Sequence, residues 1–109
     1  MDKVSITENL RIFDKYWQSK IVGEFNNQNV KLVKLKGEFE WHHHKSQDEL
    51  LLVLKGVLTV KLQENDVELG DGDFFIVQRG TDHKLMAAEE AHLFVVEPKS
   101  TLNTELLQK

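Results

Sequence analysis

The sequence predicts an all-β fold, and three observations carry that prediction. From Lys20 onward apolar and polar residues alternate with period two, as in "NVKLVKLK". A half-buried strand needs that period because successive side chains face opposite ways. Turn compositions recur at short intervals: "NNQN", "KSQD", "ENDV", "GDGD" and "RGTD". Helical periodicity is confined to the first residues. About eight or nine short strands between turns read as an antiparallel sandwich or barrel. Closing such a sheet removes the edge strands that otherwise need protection.

Taken in order, "SITENLRIFDKYW" predicts a short amphipathic helix. Ser5 is its N-cap, Glu8 completes a capping box, and Ile6, Leu10 and Phe13 share one face. The aromatic residues Phe13, Tyr16 and Trp17 could equally begin an extended segment. "KIVGEF" and "NVKLVKLK" read as strands joined by "NNQN". In the second, Lys31, Val33 and Leu35 face opposite to Val30 and Leu32. "EFEWHHH" reads as a further strand, followed by "KSQD", the buried run "ELLLVL" and the break "KG". "VLTVKLQ", "VEL" and "FFIVQ" come next, with Phe74, Phe75, Ile76 and Val77 expected to be buried on both faces. "HKLMA" and "AHLFVVE" read as two strands, the latter ending at Pro98, and the tail 99–109 as loosely held.

A chain of 109 residues supports one domain, 1–109, with an N-terminal segment over 1–18. The formal net charge of −4 removes any chain-wide attraction to nucleic acid or anionic lipid. Without cysteine there is neither a disulfide framework nor a thiolate metal site. The N-terminus lacks the apolar stretch of a signal peptide, and "LLLVL" falls far short of the roughly 20 residues that span a bilayer. The expectation is a soluble, cytoplasmic protein with no nucleic-acid or membrane partner.

Chemistry concentrates at "FEWHHHKSQDELLLVLKG". In a strand His42 and His44 project together, while His43 projects the other way beside Trp41. Two imidazoles on one face reach a single cation, each nitrogen about 2.0–2.1 Å from a bound zinc. Glu49 opens the next strand and adds a carboxylate, and His83 after "RGTD" adds a further imidazole. Asp48 is the alternative carboxylate. His43 is expected outward or at an interface, His92 packed or on a pocket wall, and Trp41 and Phe39 as packing groups.

Those residues resemble the cupin superfamily. "GEFEWHHHKSQDELLLVLKG" is similar to its first motif, G(X)5HXH(X)3–4E(X)6G, with His42, His44, Glu49 and Gly56 in place. "GDFFIVQRGTDHKLMA" is similar to the second, G(X)5PXG(X)2H(X)3N, with Gly72, Gly80 and His83 in place. The two span residues 37–87. Gly37 stands one residue closer to the histidines than the motif has it, Gln78 replaces its proline and Ala87 its asparagine. The resemblance implies a small single-domain cupin: a conical antiparallel β-barrel (jelly-roll) holding one divalent metal ion per chain through His42, His44, Glu49 and His83. Zn, Fe, Ni, Mn and Cu all suit such ligands.

Cupins include dioxygenases, sugar-phosphate isomerases, decarboxylases, seed-storage proteins and sensor domains, so the resemblance selects no reaction. The expected role is to act on or bind a small polar metabolite at the metal, the alternative being a non-catalytic sensor with a structural metal. The barrel lining reads as mostly apolar, with few acid–base groups beyond the ligands. True phosphomannose isomerase activity is not expected from so short a chain. Apolar residues upstream of the first motif, among them Ile12, Phe13, Ile21 and Phe25, predict a homodimer.

Overall fold

The computed structural model describes residues 2–99. A short helix α1 (Ile6–Arg11) precedes seven strands: β1 (Ser19–Phe25), β2 (Gln28–Glu38), β3 (Glu49–Lys55), β4 (Leu58–Lys61), β5 (Asp66–Leu69), β6 (Phe74–Val77) and β7 (Lys84–Pro98). Ser5 caps α1 as its sequence predicts, its hydroxyl accepting the Glu8 N–H at 3.2 Å. The reciprocal half of the capping box does not form, because the Glu8 carboxylate turns instead to Arg11 at 3.4 Å. None of the six helical residues is buried, so α1 lies on the surface.

The β1–β2 hairpin turns through Asn26 and Asn27, at φ 47° and 63°. A two-residue hairpin loop of type I′ needs positive φ at both positions, and asparagine tolerates it better than most residues. Phe25 consequently pairs with Gln28, and a register shift between Ile21 and Gly23 then sets Lys20 opposite Leu32. The sheet then runs β1-β2-β7-β3-β6, all antiparallel, and β4 joins β5 to the first part of β7. Together these strands make an antiparallel jelly-roll.

β7 organises the fold. Its early residues pair with β4 (Val60↔Leu85), and its later ones lie between β2 and β3 (Val33↔Leu93, Val53↔Leu93). The sequence predicts two strands here, and the structure has one of 15 residues. The misleading feature is Ala88–Glu89–Glu90, exposed mid-strand, which interrupts the apolar alternation and bulges between the paired Ala87 and Ala91. Register shifts between Leu35 and Gly37 and between Val53 and Lys55 let the flanking strands follow this long one.

Leu51, Val53, Leu58, Val60, Leu85, Leu93 and Val95 fill the interior. Burial of each such side chain is worth about 1.5–3 kcal/mol. The expectation of a doubly buried "FFIV" strand is corrected: Phe74 is 60% and Ile76 47% exposed, while Val77 is buried. Phe74 and Ile76 share one face of β6, and an antiparallel sheet that packs its core on one side leaves the other face to solvent.

The N-terminal segment is pinned to β2 by Trp17 N–H on the Lys34 carbonyl (2.8 Å) and by the Trp17 indole on the Lys36 carbonyl (3.0 Å). Lys99 N–H bonds the Asn27 carbonyl at 2.8 Å. The rest of the tail expected to be loose, 100–109, lies outside the described residues. Among the described residues no helix is long and apolar enough to cross a membrane.

Candidate metal centre

The segment from Phe39 to Asp48 is not a regular strand, contrary to the reading of "EFEWHHH". A single bridge replaces it. His42 and His83 exchange both backbone hydrogen bonds, at 2.9 and 3.0 Å, which sets the two residues directly opposite each other. Their rings stand 4.2 Å apart between centroids. Gly80, at φ 79°, donates its N–H to the His44 carbonyl at 2.8 Å and ties the second motif to the first. Phe39, buried, stacks on Trp17 at 5.2 Å and meets His42 edge-on at 5.4 Å, walling the site.

The alternation rule nonetheless holds locally. One ligand atom from each of His42, His44 and His83 lies within 4.8 Å of the others. Two ligands about 2.1 Å from one ion stand at most about 4.2 Å apart, so small ring rotations close this triangle on a cation. His43 points away to Asp82 at 3.0 Å, half exposed, as its parity predicts. Glu49 flanks two corners of the triangle, its Oε1 at 3.6 Å from His44 Nε2 and 4.0 Å from His83 Nε2. Asp48, the alternative carboxylate, turns outward to Arg79, accepting from its backbone N–H (2.9 Å) and from its guanidinium (3.1 and 3.3 Å).

Hydrogen bonding selects the useful tautomer. His42 Nδ1 lies 3.0 Å from the Glu40 carbonyl and His83 Nδ1 2.9 Å from the Thr81 carbonyl. A carbonyl only accepts, so each Nδ1 carries the hydrogen and each neutral Nε2 keeps its lone pair for the site. Burial pushes the His83 imidazole down to about 4, which keeps it neutral near pH 7. His83 Nε2 and both Glu49 oxygens are buried, and none takes part in a hydrogen bond with a nitrogen or hydroxyl group of the protein. Buried polar atoms in that condition are costly unless something else meets them.

Two site-bordering residues escape a reading of the sequence. Lys31 and Glu97 are both buried and joined to each other by an ion pair. They contradict the expectation of an apolar lining beyond the ligands. A signal exists: Lys31 is in phase with the inward Val33 and Leu35, and Glu97 with the inward Val95. Burial and the neighbouring Glu49 carboxylate push the Glu97 carboxyl up to about 8, against the pull of Lys31. At Glu49 burial acts the same way, but His44 and Glu97 outweigh it and hold that carboxyl low. His92 stands apart, its Nε2 2.6 Å from Glu90 and its side chain mostly covered, as expected for a packed residue. Trp41, expected to pack, is 46% exposed.

Comparison with known families decides what this barrel is. The Cupin_2 family model, described as the cupin domain, matches residues 30–97. The chain belongs to the cupin family. A cupin-2 domain containing protein from Shewanella frigidimarina is 32% identical, with a TM-score of 0.86 over 87% of this chain and 93% of that one. Protein NMB1881 from Neisseria meningitidis, 22% identical, shares the fold at a TM-score of 0.82 over 89% and 99% of the two chains. The uncharacterized protein YdbB of Bacillus subtilis is 34% identical over 64 residues, 58% of this cupin and 57% of YdbB. The match thus spans little more than half of that relative's length.

Proposed function

We propose that this cupin binds one divalent metal ion through His42, His44, His83 and Glu49, and that it acts on or binds a small polar metabolite there. One observation carries the reading: two imidazoles pinned through Nδ1 by backbone carbonyls turn Nε2 toward a third imidazole, all within 4.8 Å. The buried Glu49 oxygens and His83 Nε2, left without a hydrogen bond to a nitrogen or hydroxyl group, fit the same donor set. A bound metal with an open position would supply Lewis-acid polarisation of a carbonyl or enediol. The protein's part is to hold three neutral imidazoles and one carboxylate in place and to keep water from most of them. Zn, Fe, Ni, Mn and Cu all remain compatible with such ligands.

A second reading, a sensor or binding module with a structural metal, is favoured by the depth of the site. His44, His83 and Glu49 are each buried, and His42 is the ligand nearest solvent. We further propose a single-domain, cytoplasmic homodimer that binds neither duplex DNA nor membranes, on the acidic balance and the apolar residues left exposed near the N-terminus. The metal assignment is tested by elemental analysis of protein purified without added metal or immobilised nickel. About one equivalent per chain is expected, with severe loss in His44→Ala and His83→Ala and none in His43→Ala. Full metal content in the His44→Ala/His83→Ala double variant would refute the site.

A further inference from the structure

The inner faces of β2, β7 and β3 bring charged groups together directly behind the site. Asn29 pairs with Glu97, and Lys31 lies one inward step along β2. The pairing of Leu50 with Val96 and Leu51 with Val95, continued by one residue, sets Glu49 opposite Glu97. Lys31 is 0%, Glu97 2% and Glu49 2% exposed. The row therefore reads Lys31, Glu97, Glu49 and then the imidazoles, and its three ionisable members before the imidazoles are closed to solvent.

An ion pair in such a place carries a desolvation cost that a pair of apolar residues would not. Its fold-stabilising worth is therefore small, and its position next to a ligand is what distinguishes it. The imidazole nitrogens nearest the Glu49 carboxylate, those of His44 and His83, stand 3.6 and 4.0 Å from its Oε1. The group that stands behind it is Glu97, and Glu97 is itself anchored by the Lys31 ammonium. Removing a group that orients a metal ligand from behind typically costs about 10–100-fold in metal affinity.

We infer that Lys31 and Glu97 are positioning residues for the metal site: Lys31 anchors Glu97, and Glu97 holds the Glu49 carboxylate toward His44 and His83. This inference rests on the metal-site reading above and adds to it the pair that sets the geometry. Lys31 and Glu97 touch no ion or substrate in this scheme; they act through Glu49.

The test is a titration of chelator-treated full-length protein with cobalt(II), read by d–d absorption for both affinity and ligand geometry. Lys31→Met alone strands a buried carboxylate, so the informative variants are Lys31→Met/Glu97→Leu, which replaces the pair by apolar groups of similar volume, and Glu97→Gln. The double variant should bind cobalt roughly 10–100-fold more weakly with an altered spectrum. Glu97→Gln should stay within a few-fold of wild type, because its amide still meets both Lys31 and Glu49. A folded double variant with wild-type affinity and spectrum overturns the inference, since a purely structural pair would change thermal stability alone. Should the double variant fail to fold by near-ultraviolet circular dichroism, Glu97→Asp decides: its shorter side chain should weaken cobalt binding, and unchanged binding refutes the positioning role. Wild-type protein that binds no cobalt removes the metal reading and this inference together, whereas normal wild-type binding with indifferent variants removes only the inference.

Discussion

The inner faces of β2, β7 and β3 have two unlike ends. At one end Val33, Leu35, Val53, Ala91 and Leu93 pack as aliphatic side chains, each at most 1% exposed. At the other, Lys31, Glu97 and Glu49 occupy equivalent inward positions on the same strands and are equally buried. The backbone pairing is continuous between the two ends, so the sheet alone does not distinguish them. One end contributes stability, and the other consumes part of it to hold charge in place. Burying ionic groups costs more than burying aliphatic ones, and a fold tolerates that only when the rest of the core offsets it.

The largest effect on stability is expected at the aliphatic end. Leu93 pairs with Val33 and Val53 across both neighbouring strands. Leu93→Ala should cost about 2–5 kcal/mol in urea unfolding, through lost transfer energy and a cavity that the flanking strands cannot fill. The folded fraction should still bind metal as wild type does. A cost below about 1 kcal/mol, or a metal affinity that falls in proportion, would show that the two ends are not separable.

What is legible in the sequence follows the same divide. Strand parity puts His42 and His44 on one side, and the resemblance to the two cupin motifs adds Glu49 and His83; the structure brings the three imidazoles within 4.8 Å of one another, with Glu49 beside them. Parity also places His43 outward, where the structure has it facing Asp82. Strand identity is legible wherever period two is clean, as in β2. It fails in β7, where exposed Ala88–Glu89–Glu90 interrupts the apolar alternation but only bulges out between the paired Ala87 and Ala91, and in β6, where four apolar residues give no sign that one face is uncovered. Lys31 and Glu97 stay hidden because a charged residue in phase with valines is normally a sign of an outward face, not of a buried pair. Parity points to the right face, and residue type argues against it.

A finer test lies within the polar end. His83 is fully buried and its imidazole is depressed from 6.5 to about 4. The unfolded chain therefore takes up a proton before the folded one does as pH falls. His83 thus contributes stability that is fully present above about pH 6.5 and is lost on the way down to pH 4. In metal-free protein the stability gap between wild type and His83→Gln should be flat above pH 6.5. It should shrink by about 3 kcal/mol by pH 4, because each tenfold loss of proton affinity in the folded state corresponds to about 1.36 kcal/mol. A gap independent of pH would mean that His83 is hydrated in solution and that the polar end is less closed than its burial indicates.

The smallest effect on folding is expected where neither end is involved. β1 is the first strand of the path, and Ile21 and Phe25 on it are 46% and 54% exposed. Beside them an apolar cavity of about 280 Å³ is lined by Val4, Ile6, Val22, Val30 and Phe94. An edge strand with uncovered apolar side chains is a ready surface for a second copy, since pairing satisfies both the open backbone groups and the apolar area. The Ile21→Ser/Phe25→Ser variant should therefore leave monomer stability within about 0.5 kcal/mol, as exposed substitutions usually do, and leave metal content unchanged. Its effect should appear in mass instead. Light scattering at micromolar concentration should give about twice the chain's 12.7 kDa for wild type, and a value near 12.7 kDa for the variant. A wild-type mass already at one chain would remove the dimer and leave β1 as an edge that its own charges, Glu24 and Lys20 among them, must guard from self-pairing.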